Sequence, residues 1–270
     1  MPRFAANLSF LFSELPFLER FAAAARAGFR AVEAHFPYDH PKEELAARLS
    51  DAGLELVLLN TPPGSREGDF GLAAQPGREA EFRAALERAL DYCGHLGAKL
   101  VHVMAGDVAP VDRAKARETY LENLAWGADR AKAGGITLLI EPINGRDRPD
   151  YFLQRSDDAV LLLETLRRPE VKLLYDFYHV QIMEGDLALR LERHWRHLGH
   201  VQFASVPGRA EPDAGEIAYP FLFALLDRLV AAGLPATRVE TTPWGMREFS
   251  LADPSGNTIR ISKPLWGPDA

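Results

Sequence analysis

Cysteine is nearly absent from this chain, with Cys93 the single example among 270 residues. One thiol excludes an internal disulfide framework and suits a reducing compartment. It lies within ALERALDYCGHLGA, a helical pattern in which a packed thiol is expected rather than a nucleophile. Long apolar runs are also missing. No stretch of 18 apolar residues occurs, and MPRFAANLSF lacks the hydrophobic segment of a secretory signal. The expected location is the cytoplasm, with no membrane partner. Basic charge is short as well: 31 Lys and Arg stand against 38 Asp and Glu, a net charge of −7. No Lys/Arg cluster offsets this, so a nucleic-acid partner is not expected.

What is present is alternation. Short apolar runs at 4–12, 31–37, 54–62, 99–106, 136–144, 171–180, 200–207 and 238–243 read as eight strands. Helical patterns such as LPFLERFAAAARAG, KEELAARLSDAG and REAEFRAALERALDYCGHLG separate them. Gly28, Gly53, Gly97, Gly135 and Gly233 recur between a helix and the next strand, as helix C-terminal chemistry requires. Repeated β/α alternation predicts an α/β fold of the (β/α)8 TIM-barrel type over residues 1–243. The segment 61–78 is long enough to serve as a lid or flap. From 244 to 270 the helical period stops. REFSLA and NTIRIS, joined by DPSGN, read as a β-hairpin tail in place of the eighth helix, too short for an independent domain.

Four polar residues mark the ends of four of these apolar runs: Glu141, Asp176, Gln202 and Glu240. In a parallel barrel the carboxyl ends of the strands converge on one mouth. Three carboxylates and an amide meeting there form an oxygen-rich site for a hard divalent cation, Mg²⁺ or Mn²⁺. A single rim carboxylate is usually solvated or structural; four on consecutive strands favour the metal. Asn144, in EPIN, can offer a hydrogen bond into the mouth. His179 follows Asp176 by three residues, within reach of a substrate oxygen. Arg209 lies on the loop beyond Gln202, where its planar fork suits a carboxylate-bearing substrate. Glu33 and His35 either line the mouth or pair with each other. Asn7 and Asn60 are expected to cap the loops that follow them. His102 faces either the barrel core or the helix ring.

The segments AVEAHFPYD, LLIEPIN, LLYDFYHVQ and HVQFASVPGRAEPDAGEIAYPFLFALLD resemble the hydroxypyruvate isomerase family of xylose isomerase-like barrels, over about residues 1–230. The resemblance implies a divalent metal held by Glu141, Asp176, Gln202 and a glutamate from the last strand. It also implies that Glu141 and that last glutamate act as the acid/base pair. The chemistry is coherent on its own terms. Exchanging an α-hydroxy ketone for an α-hydroxy aldehyde moves a proton between adjacent carbons through an enediolate, which a cation stabilises. The expected substrate is therefore hydroxypyruvate, converted to tartronate semialdehyde, or another small hydroxy-keto acid or keto sugar. An endonuclease of the same barrel class would need a histidine-rich multi-zinc site, which an acidic chain with 8 histidines serves poorly.

The tail departs from that family. WGMREF followed by DPSGN resembles the last hairpin of glyoxalase/bleomycin-resistance proteins, although Arg260 stands where that group often carries a metal-binding glutamate. The junction near 230–240 leaves the fourth ligand between Glu240 and, less well placed, Glu248. If neither serves, the barrel is catalytically impaired. The hairpin is expected to cover barrel surface that the eighth helix would otherwise hide, or to mediate a homodimer.

Overall fold

The computed structural model describes residues 4–232 and, as backbone strands, 240–241, 246–252 and 258–264. Seven strands form one parallel sheet in sequential order: β1 (Ala5–Asn7), β2 (Ala31–Ala34), β3 (Glu55–Asn60), β4 (Leu100–His102), β5 (Thr137–Ile140), β6 (Val171–Asp176) and β7 (Leu198–Gln202). Parallel neighbours need a crossover between them. Helices α1 (Phe17–Arg26), α2 (Lys42–Ala52), α3 (Glu79–Leu96), α4 (Arg113–Ala133) and α5 (Ser156–Leu166) supply the first five. After β6 come α6 (Phe177–Met183) and α7 (Leu187–His194), and α8 (Tyr219–Ala232) follows β7. This is the TIM-barrel architecture that the alternation predicts. No helix among the described residues is long and apolar enough to cross a membrane.

The inner strands β2 to β6 are mostly buried, the edge strands β1 and β7 less so; Leu58, Leu139 and Leu174, from β3, β5 and β6, are fully enclosed and pack together. Sheets covered on both faces require such continuous apolar runs. Each enclosed leucine contributes about 2 kcal/mol relative to exposure. Cys93 is buried in α3, and burial pushes its thiol up to about 12, consistent with a packing role.

Two compact units divide the chain, residues 4–185 with 197–203 and residues 186–196 with 204 onward. The whole seven-stranded sheet belongs to the first. Its two edges are β1 and β7. Side chains bring them together, because Phe4 and Phe203 meet edge to face with ring centres 5.7 Å apart. Glu33 of β2 reaches across to His200 and Gln202 of β7.

Three local expectations change. The apolar run 171–180 is strand only to Asp176 and turns helical at Phe177. Asp176 causes the turn: its Oδ1 accepts from the Tyr178 backbone N–H at 2.8 Å and caps α6. The segment 61–78 is a strut rather than a lid. Arg78, buried, pairs with Asp69 and Glu81, and Arg148 donates to the Gly68 carbonyl. Backbone N–H groups of Leu72 and Ala74 donate to Met104 and Ala105, just beyond β4. Gly71 is required there, since at φ +120° a Cβ would sit 2.6 Å from the Met104 carbonyl oxygen.

The third change concerns the eighth strand. The run at 238–243 contributes β8 (Glu240–Thr241), which joins β9 (Met246–Ala252) and β10 (Thr258–Pro264) in a separate antiparallel sheet of the second unit, not the parallel sheet. Only four residues separate β8 from β9, too few for the crossover that parallel neighbours need, so that pair is antiparallel. The tail hairpin is present as β9 and β10, paired in register from Met246↔Pro264 to Ala252↔Thr258. The DPSGN turn and the side chains of Glu240, Glu248 and Arg260 lie outside the described residues, as does any packing of the tail.

Candidate metal centre and active site

Strands β5 and β6 end on buried acids. Glu141 follows β5 directly and Asp176 is the last residue of β6; they are 6% and 4% exposed. His179 stands between them from the first turn of α6, its Nε2 3.7 Å from Glu141 Oε1 and 3.6 Å from Asp176 Oδ2. Ligating atoms of the three residues all fall within 4.8 Å of one another. Two carboxylates brought this close in a buried setting favour a neutralising cation. Together the three residues could hold a metal ion.

The tautomer of His179 can be read from its other nitrogen. Nδ1 accepts from the Asn144 backbone N–H at 3.2 Å, a group that can only donate. A second contact, 2.7 Å from the Asn144 side-chain amide, holds the same nitrogen. The proton of the neutral ring therefore sits on Nε2, facing the carboxylates. In that state Nε2 presents a donor, not a lone pair, toward the carboxylates. Asn144 is fully buried and itself fixed, its Oδ1 accepting from the Asp147 N–H and its Nδ2 donating to Asp147 Oδ2.

His102 flanks Glu141 on the opposite side. It is buried at the end of β4 with Nδ1 3.3 Å from Glu141 Oε2, which settles its orientation toward the barrel interior. Burial, reinforced by His35 and His179, drives its pKa down to about 3, so the ring is neutral.

A second polar cluster spans β1, β2 and β7. Glu33, 4% exposed, accepts from the Gln202 side-chain amide at 2.6 Å on Oε2, and His200 Nε2 contacts its Oε1. Asn7 Nδ2 lies 3.4 Å from Glu33 Oε2 and 3.0 Å from His35 Nε2, bridging the two. Asn7 also accepts from the Ser9 backbone N–H, the local cap expected of it. Asn60, at the end of β3, turns its amide toward Met104 Sδ at 3.7 Å. Gln202 and Asp176 are register partners on adjacent strands, so Gln202 stands beside the acidic pair while its amide nitrogen is held by Glu33.

The structure thus joins Glu141, Asp176, His179 and Asn144 in one cluster and Glu33, His35 and Gln202 in another. Arg209 belongs to the second unit, exposed on the loop after Ala204. There Ser205 accepts from its backbone N–H at 2.8 Å and holds it at φ +53°. The Glu240 side chain is outside the described residues. His200 is the cluster member that the sequence pattern passed over. In GHVQ it lies two residues before Gln202, which puts both on one face of β7.

Residues 21–240 match the family model described as the xylose isomerase-like TIM barrel. The 2-oxo-tetronate isomerase of Cupriavidus necator is 54% identical, over 85% of this chain and 89% of that protein. The hydroxypyruvate isomerase of Escherichia coli is 41% identical over 84% of this chain and 89% of its own length. A crystal structure of an AP endonuclease, family 2, from Brucella melitensis superposes with a TM-score of 0.83 at 46% identity, covering 87% of this chain and 91% of that one.

Proposed function

The chain belongs to the xylose isomerase-like TIM barrels and is an isomerase of small hydroxy-keto acids; from that premise we propose that it interconverts hydroxypyruvate and tartronate semialdehyde with the help of a divalent cation. The observation that carries this reading is the buried Glu141–Asp176 pair sharing His179. Glu141, Asp176 and Gln202, with Glu240 as fourth member, are the proposed ligands of Mg²⁺ or Mn²⁺. Bound there, a divalent cation would supply Lewis-acid stabilisation of the negative charge that develops on the substrate.

The chain's own groups move the protons. Glu141 and Glu240 act as the acid/base pair: one removes the proton from C3 of hydroxypyruvate, the other delivers a proton to C2. The hydroxyl proton on O3 shifts to O2, so the product differs only in the position of its carbonyl. His179, with Nε2–H directed at the site, donates to a substrate oxygen on which charge develops. Arg209 receives the substrate carboxylate in bidentate fashion. Asn144 holds His179 in its donor tautomer.

The Cupriavidus necator relative favours a second substrate, 2-oxo-tetronate, which presents the same carbonyl at C2 and hydroxyl at C3. The net charge of −7 argues against a nucleic-acid substrate despite the endonuclease likeness. The test is isomerisation of both acids by the chelator-dialysed full chain, before and after Mn²⁺ is added back, beside Glu240→Gln. Turnover that disappears with the metal and returns with it supports the reading, and its collapse in the variant assigns Glu240. No turnover of either acid, with no Mn²⁺ uptake, would overturn it.

A further inference from the structure

Glutamine is an ambiguous ligand. Its amide ends in an oxygen that can bind a cation and an NH₂ that cannot, and the two ends have nearly the same shape. Local backbone geometry does not choose between them; a partner must. We propose that Glu33 is the positioning residue that makes this choice, holding the Gln202 amide with its oxygen turned to the Glu141–Asp176 pair.

This role for Glu33 rests on the metal reading above and on four observations. Glu33 offers Gln202 only acceptors, and Gln202 Nε2 meets Glu33 Oε2 at 2.6 Å. The NH₂ end is thereby committed away from any cation, which leaves Oε1 as the end that can ligate. Gln202 is the register partner of Asp176, so that free end belongs to a residue standing beside the acidic pair. Glu33 is itself immobilised: His200 contacts Oε1, Asn7 approaches Oε2, and the residue is 4% exposed. Both imidazole and amide come from strands that flank or face β2, so the carboxylate plane cannot turn without breaking contacts from β1 and β7 together. A buried carboxylate that accepts from a proposed ligand and is held by its other contacts is what orienting a ligand from behind requires.

A purely structural clasp between β2 and β7 would need the same contacts but would not care which end of Gln202 faces the cation. Metal affinity separates the two roles. Mn²⁺ titration by calorimetry is applied to the full chain, to Glu33→Gln, and to the exchanged pair Glu33→Gln with Gln202→Glu, each accompanied by a thermal melt. A glutamine at 33 can present either end to Gln202, so the single variant is expected to bind Mn²⁺ about 10–100-fold more weakly. In the exchanged pair position 202 carries an oxygen at both ends, so orientation no longer matters, and binding is expected to return to within a few-fold of the wild type. That pair keeps one carboxylate and one amide in contact, so it reports even if the single variant melts early. Wild-type affinity in the folded single variant would overturn the proposal, as would an exchanged pair that folds and stays as weak as the single variant. A wild-type chain that takes up no Mn²⁺ would instead remove the metal reading beneath it.

Discussion

The two polar clusters at the carboxyl ends of the strands contain similar residues in different proportions. Around Glu33 one carboxylate meets an amide from Gln202, an imidazole from His200 and an amide from Asn7. Around His179 two buried carboxylates stand together, Glu141 with His102 on its other oxygen and Asp176 with the Tyr178 N–H on its own. Buried charge is tolerated when its hydrogen bonds are met and is costly when it is not. In the first cluster the chain's own groups meet the Glu33 carboxylate, which is proposed to hold Gln202 in position. The second brings two carboxylates within reach of one ion, and it is the cluster proposed to take the cation and carry the chemistry. Whether carboxylates stand singly or together, more than residue type, distinguishes the proposed support from the proposed site.

The comparison breaks most directly at Asp176. Asp176→Asn keeps a good helix cap for α6 but removes a charge from the acidic pair. We expect turnover to fall by about 10³-fold or more while the thermal midpoint holds or rises, because like-charge repulsion is relieved. A variant that keeps most of its activity, measured with saturating Mn²⁺, would make the acidic pair structural after all.

His179→Leu sharpens the contrast within the acidic cluster. If Nε2–H is a donor, as the Asn144 N–H bond to Nδ1 dictates, kcat should fall about 10²-fold with Mn²⁺ affinity within a few-fold of wild type. Calorimetry decides, since a metal-ligating His179 would lose affinity by far more.

The smallest effect is on stability. His102 titrates at about 3 in the fold against 6.5 ordinarily, chiefly because it is buried. The fold binds its neutral form, so this contribution is fully present above about pH 6.5 and is lost as pH falls from there toward 3. Urea midpoints at pH 7 and pH 5 should therefore differ less in His102→Gln than in the wild type. An equal acid dependence in the two would assign the loss to other groups.

Much of this was legible along the chain. Alternation of apolar runs with helical periods announced a barrel because both periods are local properties of the backbone. Glu141, Asp176 and Gln202 were visible because each sits at the end of such a run, and strand ends in a parallel barrel share a mouth. His179 was visible through its three-residue spacing from Asp176, although the spacing suggested a strand and Asp176 instead starts a helix. His200 was hidden because its partner Glu33 is 167 residues away. Arg78 was hidden for a related reason: a long polar segment reads as loop, and nothing in its composition reveals that one arginine ties it down.

By itself, then, the sequence determined the order of strands and helices and which residues stand at the strand ends, since periodicity and turn chemistry act over a few neighbours. Tertiary structure decided how those residues are used. The Asn144 backbone, 35 residues from His179, selects its tautomer, and Glu33, 169 residues from Gln202, selects the direction of its amide. It also drew Glu240–Thr241 into an antiparallel sheet with the tail. A hydrogen bond's direction is set by the group that faces it through space, and spacing along the chain carries no record of that group.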